Sequence, residues 1–399
     1  MSKKVIILGA GVAGSTIAYL LARDGYDCTV IDKNNHVGGG VWTFFHGGHP
    51  YTEGPRPYYG WSKPIFEWLN KFVPMNPIEL ECYSYVEQEN NFFSFPIHED
   101  DISKLSCSEQ VKKELNERDL NKKVNNLEEY WKTQVGPTLY NLFINKYSRK
   151  MWMVKSNTDF EQYEWSVKTN PIKSGKKSID VECCAYPKAK DGYNAYFEKA
   201  LEGSNVILNQ KISSPDLEKK EIHLNHGEVI KGDIIISTIS LDELMNEKYG
   251  KLAYTSRQFI PFVLPTKQVF PDNMMFAYYT QDEPCTRIVE YKKFTKHESD
   301  NTLLVMEIPV VDDNYKLYPY VSPKYIDQAK KYKDDLPKNV YSIGRLGSYQ
   351  YSCIETTICQ AFDLYKTITG KSEMGLENEL YNPSTGVKQC SNDDNIKSN

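Results

Sequence analysis

Three glycines at fixed spacing, Gly9, Gly11 and Gly14 in GAGVAG, constrain this chain more than any other feature. They follow the apolar, β-branched run KVIIL, which reads as a buried strand. They open VAGSTIAYLLARDG, whose apolar residues recur at helical spacing up to a stop at Gly25. CTVID then reads as a second strand ending on Asp32. Strand, helix and strand within about 30 residues make a βαβ unit, and hence a parallel sheet. In that setting Gly9 permits the tight turn, Gly11 lets backbone approach a pyrophosphate, and Gly14 lets the helix pack on the strand. The helix N-terminus, with Ala13 in its first turn, offers free N–H groups and a positive dipole end to phosphates. Asp32, followed by Lys33, stands where a carboxylate accepts ribose hydroxyls. These residues predict a dinucleotide site.

Composition narrows the partners. The chain has 399 residues, enough for two or three domains, with a formal net charge of -5. Its lysines are scattered rather than blocked, which argues against a nucleic-acid partner or an anionic membrane surface. The nine cysteines include no CxxC pair and no regular spacing. The expectation is a reducing cytoplasm, with no disulfide framework and no cysteine metal site. The N-terminal apolar run is broken by glycines and followed by charge, so no secretory signal is expected. No apolar stretch reaches the ~18 residues of a membrane span. The 29 tyrosines suit stacking on bases and hydrogen bonding to sugars, and they suit ordinary packing equally well.

Directly after Asp32 comes KNNHVGGG, in which Gly38, Gly39 and Gly40 would let the chain pass close to a bound cofactor. NAD dehydrogenases usually continue straight into a helix, whereas this extension resembles FAD-binding oxidases and related flavoproteins. DIIISTIS and NVYSIGR resemble the later strands of such folds, and the expected cofactor is FAD. Residues 78–96 read as strands, 99–168 as mainly helical and 170–192 as a basic, mobile loop. QFIPFVL, MMFAYYT, TRIVEYKKF and TLLVMEIPVV read as a largely antiparallel sheet, and CIETTICQAFDLYKTITG as a closing helix. From about Ser372 the chain turns polar and predicts a disordered tail.

Several spaced segments resemble the UDP-galactopyranose mutase family. TRIVEYKKF resembles its T-R-I-I-E-H-K-x-F, YSIGRLGSYQYS its G-G-R-L-A-x-Y-x-Y, and YSRKMW its Y-T-x-K-Q-W. NHVGGG resembles its N-H-I-G-G, and KLYPYV its x-Y-Y-P-V. The resemblance implies an α/β fold in three parts. They are a discontinuous FAD-binding Rossmann-like βαβ domain (1–75, 190–245 and 335–371), an inserted helical domain (98–189) and an antiparallel β-sheet domain (76–97 with 250–334). It implies an isomerase that interconverts pyranose and furanose nucleotide sugars with no net redox change, the reduced flavin N5 serving as nucleophile toward the anomeric carbon. It further implies a UDP-, dTDP- or GDP-linked sugar as substrate, an external reductant such as NAD(P)H or a reductase, and a place in surface polysaccharide or capsule synthesis. Members often form homodimers, but no stretch here marks an interface.

By resemblance, Arg287 and Arg345 hold the diphosphate, with Arg345 also against the flavin. For Arg287 the alternative is an ordinary strand arginine paired to Glu290 or another carboxylate. Tyr351, Tyr349 and Tyr318 (or Tyr320 in its place) fall at phosphate-binding tyrosines, and each could equally be a packed aromatic. Tyr147 and Trp152 flank the nucleotide base or fill a helix core. Lys173 takes the position of a loop arginine that closes on the diphosphate, or is a solvated lysine. Two departures stand out. Arg56, in GPRPYY, replaces the family's flavin-side histidine, and it would act either on the reduced flavin or on a phosphate or carboxylate of the substrate. Cys353 and Glu355 replace an acid and a histidine that border the sugar, with Cys353 read as a small pocket-lining residue. Such changes point to a sugar other than galactose: a deoxyhexose, a heptose or an N-acetylhexosamine. The competing readings are a conventional FAD oxidoreductase of the amine-oxidase class and a non-catalytic flavin or nucleotide-sugar binding protein.

Overall fold

The computed structural model describes residues 2–95, 97–161, 172, 181–312, 314–320 and 322–373. Lys173, most of the expected mobile loop and nearly all of the expected tail lie outside them.

The run Lys4–Leu8 alternates its side chains between two buried faces. Among the described residues it is the middle strand of a parallel sheet in the order Asn205–Ile207, Asp27–Ile31, Lys4–Leu8, Ile234–Ser237, Val340–Ser342. Val5 and Ile7 pack against the helix Val12–Arg23, the helix Asn194–Leu201 and the closing helix Ile354–Thr369, through Ile17, Leu21, Phe197 and Ile358. Ile6 and Leu8 face the other way, onto Ile222 and Leu224 of an antiparallel sheet made by Ile212–Asp216, Glu221–Leu224 and Val229–Lys231. Burial on both faces explains why these strands are nearly all apolar.

A second sheet runs Tyr318–Pro319, Tyr254–Leu264, Thr302–Val310, Arg287–Glu290, Met274–Tyr279, Glu81–Val86, Asn91–Ser94. It is antiparallel except where Met274–Tyr279 lies parallel to Glu81–Val86. The helices Ser108–Asn116, Leu127–Leu139 and Lys146–Trp152 bury Val111, Trp131, Val135 and Met151 in one core with Phe276, Val289 and Val305 of this sheet.

One expectation is overturned here. The segment 170–192 reads as a mobile loop, and 189 as the end of a helical domain. Yet Cys183–Pro187 is a strand, paired with both Tyr58–Gly60 and Met75–Pro77. Its partners lie far upstream, so no local window reveals it, and the basic stretch before it dominates the reading. Among the described residues no helix is long and apolar enough to cross a membrane.

Candidate active site

The glycine turn forms one wall of a cleft of about 630 Å³. Gly9 takes φ 100°, and a Cβ there would fall 2.2 Å from Thr238 Oγ1. A Cβ on Gly14 would sit 1.9 Å from the Gly9 carbonyl oxygen, so the helix lies flush on the turn. Gly11 has nothing within 4 Å of its missing Cβ and opens on the cleft. Gly39, Gly40, Asp32 and Lys33 line the same cleft, facing Asp242, Lys316 and Leu317. Asp32 is oriented by two backbone donors, Ala10 N–H at 2.7 Å and Asn34 N–H at 2.8 Å. A carboxylate has about four acceptor sites, so capacity remains for ribose hydroxyls. Lys33 donates to the Asn314 carbonyl at 2.6 Å, and Lys316 pairs with Asp242 at 3.0 Å. An open glycine, a helix N-terminus, an oriented acid and a volume in the range of cofactor pockets fit an extended dinucleotide.

Two expected cofactor contacts are corrected. Gly38 is not part of the cleft wall. It takes φ 86°, and a Cβ there would come within 2.9 Å of the Phe197 ring, so glycine seats this loop on the helix behind it. Ala13 is buried, and its Cβ would lie 3.0 Å from a Cβ placed on Gly344. Its side chain packs the helix against the segment carrying Arg345 rather than facing the cleft.

Next to this cleft lies a second cavity, of about 150 Å³, into which four guanidiniums face. Arg287 stands directly across the sheet from Glu307 and holds it with two bonds, Nε to Oε1 at 3.0 Å and Nη2 to Oε2 at 2.8 Å. Its plane lies 5.1 Å from the Phe276 ring centroid and 5.5 Å from that of Tyr278. Burial works against the Arg287 charge, but Glu307, Tyr278 and Tyr318 together outweigh it and hold the guanidinium above its ordinary value. Glu307 is thus the other carboxylate of the strand-arginine alternative, while Glu290 accepts the N–H groups of Val269 and Phe270 and the Thr302 hydroxyl. Arg345 follows the strand Val340–Ser342 in the short helix Gly344–Gly347. Its Nε and Nη2 donate to the Ser352 carbonyl at 3.1 and 2.7 Å, which aims it past Tyr318 and Tyr351. Burial and the neighbouring charge of Arg56 both pull Arg345 below its usual value. Arg56 lines the cavity from the opposite loop.

The fourth cation, Arg257, is absent from the sequence reading. It is buried at the start of the long strand Tyr254–Leu264, 5.2 Å from the Tyr318 ring centroid. Glu307 and Tyr278 were also missed, although both line the cavity. The only available signal was register: Thr255 pairs with Tyr318, and Arg287 with both Glu307 and Tyr278.

Tyr318 and Tyr351 stack with ring centroids 5.4 Å apart, and both line the cavity with Tyr147 and Cys353. Burial pushes the Tyr318 hydroxyl up, but Arg56, Arg345, Arg257 and Arg287 together outweigh it and bring it down to about 8. Trp152 stands one layer back, against Phe160, Tyr320 and Tyr351, so it backs a cavity residue rather than facing the cavity. Tyr320 stacks on Phe160 and takes no place in the wall.

Tyr349, expected at the substrate, points away from it. Its hydroxyl donates to the Ala253 carbonyl at 2.7 Å and the Tyr320 carbonyl at 3.0 Å, and its ring packs on Tyr254. Tyr349→Phe is therefore expected to lower stability by about 1 kcal/mol with substrate KM unchanged, as read by denaturant melts beside steady-state kinetics. Glu355 is also turned away from the sugar side. It is buried, accepting from the Tyr58 hydroxyl and the N–H groups of Trp61 and Ser62. Burial pushes the Cys353 thiol up, and Thr356 Oγ1 lies 3.0 Å from its backbone nitrogen, so Cys353 is a neutral wall residue capping the closing helix.

Comparison with known proteins agrees with this layout. Residues 7–72 match the NAD(P)-binding Rossmann-like domain, and residues 142–351 match the UDP-galactopyranose mutase (GLF) family. A probable UDP-galactopyranose mutase of Klebsiella pneumoniae is 23% identical over 395 residues, covering 94% of this chain and 97% of that protein. A dTDP-fucopyranose mutase of Escherichia coli is 24% identical over 376 residues, covering 90% of this chain and 97% of that one. A solved structure of reduced UDP-galactopyranose mutase shares the fold with a TM-score of 0.77 at 17% identity, covering 93% of this chain and 94% of that one. With its family match spanning more than half of the sequence and its relatives covering nearly all of it, the chain belongs to the UDP-galactopyranose mutase family of nucleotide-sugar mutases.

Proposed function

We propose that this protein is an FAD-dependent mutase that interconverts the pyranose and furanose forms of a sugar carried on a nucleoside diphosphate. The observation that carries the reading is the charge of the smaller cavity. Among the described residues lining it, four guanidiniums face one carboxylate, Glu307, beside a cleft fitted to a dinucleotide. A diphosphate offsets that excess, and guanidiniums hold its oxygens with paired, charge-assisted bonds.

Bound in its reduced form, FAD supplies the nucleophile toward the anomeric carbon. The rest falls to the chain. Arg287 and Arg345 stabilise the charge that grows on the departing diphosphate and keep it in place for return. Tyr351 and neutral Tyr318 add hydroxyl donors to the same oxygens, and Tyr147 flanks the base. The FAD reading, in place of NAD(P), rests on the glycine wall at Gly39 and Gly40 and on Arg345 and Arg56 standing between cleft and cavity. An external reductant such as NAD(P)H or a reductase keeps the cofactor active. The cytoplasm and surface polysaccharide synthesis are the setting that accords with this reading.

The sugar is one other than galactose. Pro55, Pro57, Tyr59, Trp61, Cys353 and Ile354, with only Ser352 and Thr356 as hydroxyl-bearing neighbours along that segment, give the wall near Arg56 few partners for a ring rich in free hydroxyls. A deoxyhexose suits such a wall, and the fucopyranose mutase among the relatives is a precedent for that class.

The test is direct. The purified protein is reduced with dithionite and incubated with UDP-, dTDP- and GDP-linked hexoses, deoxyhexoses, heptoses and N-acetylhexosamines. A furanose isomer that forms only after reduction is the expected result. Substrate-driven flavin reduction with peroxide formed in air would identify an oxidase instead, and no turnover across the panel would leave a binding protein.

The Tyr318 hydroxyl gives a second check. Below about pH 8 it is neutral and donates, and above that it becomes a phenolate that repels a diphosphate. Affinity for UDP or dTDP is expected to be flat at lower pH and to fall as pH rises through that value. Calorimetry on Tyr318→Phe should show the fall removed; the same fall in the variant would contradict the assignment.

A further inference from the structure

Arg56 stands at the seam between the two spaces. Its Nε donates to the Gly40 carbonyl at 2.9 Å and its Nη2 to the Glu53 carbonyl at 2.5 Å. Gly40 and Glu53 line the dinucleotide cleft, whereas Arg56 itself lines the guanidinium cavity. A Cβ on Gly40 would lie 3.3 Å from Arg56 Nη2, so the guanidinium is pressed against the back of that wall. Pro55 and Pro57 flank it and restrict the backbone on both sides, which limits where the side chain can swing.

Arg56 forms no ion pair among the described residues. The Glu53 carboxylate nearby accepts from the Tyr315 hydroxyl, and Glu307, the one carboxylate among the described cavity residues, is bound by Arg287. Backbone carbonyls orient a guanidinium but do not neutralise it, and an enclosed charge without an opposite charge is costly. Arg345 is close enough to repel it. Four guanidiniums thus share one cavity carboxylate, and a ligand that brings negative charge offsets the excess. Arg257 and Arg287 come from the sheet side of the cavity. Arg56 comes from the other side, fastened to two residues of the cofactor cleft. Reduction of FAD by two electrons with uptake of one proton adds one negative charge to the ring system.

We propose that Arg56 is a positioning cation for the cofactor, held at the cavity end of the cleft so that the protein binds the reduced, anionic flavin more tightly than the oxidised, neutral one. A guanidinium does not titrate near neutrality, so this bias persists across physiological pH, which an imidazole would not provide. The inference rests on the FAD reading above.

The test compares the wild-type holoprotein with Arg56→Lys and Arg56→Gln by equilibrium titration with dithionite, which supplies both electrons, against a reference dye. Binding of UDP and dTDP is measured in parallel. Arg56→Gln is expected to lose roughly tenfold in its preference for reduced over oxidised FAD, a fall of about 30 mV for a two-electron couple. Arg56→Lys keeps most of that preference; UDP and dTDP binding weakens in Arg56→Gln because the cavity loses one of its four cations, so the potential decides the assignment. An unchanged potential in Arg56→Gln with weakened UDP and dTDP binding would assign Arg56 to the diphosphate and overturn the proposal. So would a wild-type potential at or below that of free FAD, a result that needs no variant to fold. A preparation that neither contains FAD nor takes it up defeats the flavin reading itself, a different failure from either.

Discussion

Replacing Arg287 by leucine is expected to lower kcat/KM on the nucleotide sugar by about 10²–10³-fold, the usual cost of removing one charge-stabilising donor. Two effects add in the same direction. The departing diphosphate loses a guanidinium whose charge and remaining N–H groups serve the cavity, and Glu307, 3% exposed at its side chain, is left as an uncovered negative charge in a cavity that must accept an anion. Breaking such an enclosed pair also costs roughly 3–5 kcal/mol of stability. Arg287→Lys keeps the sign of the charge but cannot reproduce both bonds to Glu307, so it should fall between the two. The double variant Arg287→Leu with Glu307→Leu separates the effects. Stability should largely return because no lone charge remains, while kcat/KM stays low. If the double variant recovered turnover, Arg287 would be a partner for Glu307 and nothing more. Steady-state kinetics and chemical denaturation on wild type, Arg287→Leu, Glu307→Leu and the double variant measure both terms.

The second large effect is at Gly14. Gly14→Ala puts a methyl 1.9 Å from the Gly9 carbonyl oxygen, an obstacle made of backbone that cannot turn aside. The helix must lift from the turn, and overpacking of this kind costs typically about 1–3 kcal/mol, with more expected where the backbone itself must move. The expected outcome is a protein of lower Tm, purified without bound cofactor. Gly11→Ala is the contrast. Its backbone is extended into the helix cap at φ -75°, and nothing lies within 4 Å of the new methyl, so folding should be untouched. Only cofactor binding should weaken, because the methyl projects into the cleft. Equal losses of Tm in the two variants would show that the turn is merely a structural corner.

The contrast between these glycines marks what can be read from sequence. The turn is legible because its spacing is local: strand, corner and helix lie within one window, and each residue meets partners a few positions away. Arg287, Arg345, Tyr318 and Tyr351 were nameable through the segments that carry them, and the structure brings all four to one cavity. Arg257 and Glu307 were not, because nothing in their own windows distinguishes them from other strand charges. Their place is set by which strand pairs with which, and in which register. The strand Cys183–Pro187 was lost for the same reason, since both of its partners come from residues before Ile78. Tyr349 fails differently. At φ 51° its backbone takes a left-handed turn that sends the ring back toward Tyr254, although Tyr351, two residues on, faces the cavity. A motif fixes which residues are present but not which way each one turns.

The segment around Tyr315 and Lys316 has a further consequence. It is tied to the first half of the chain by the Lys33 bond to Asn314 and the Tyr315 bond to Glu53, and to the short helix Leu241–Leu244 by Lys316 and Asp242. These ties come from both banks of the cofactor cleft. A dinucleotide seated there lies between walls that these three ties hold at a fixed spacing. Walls braced in this way favour a dinucleotide kept from one turnover to the next over one exchanged at each.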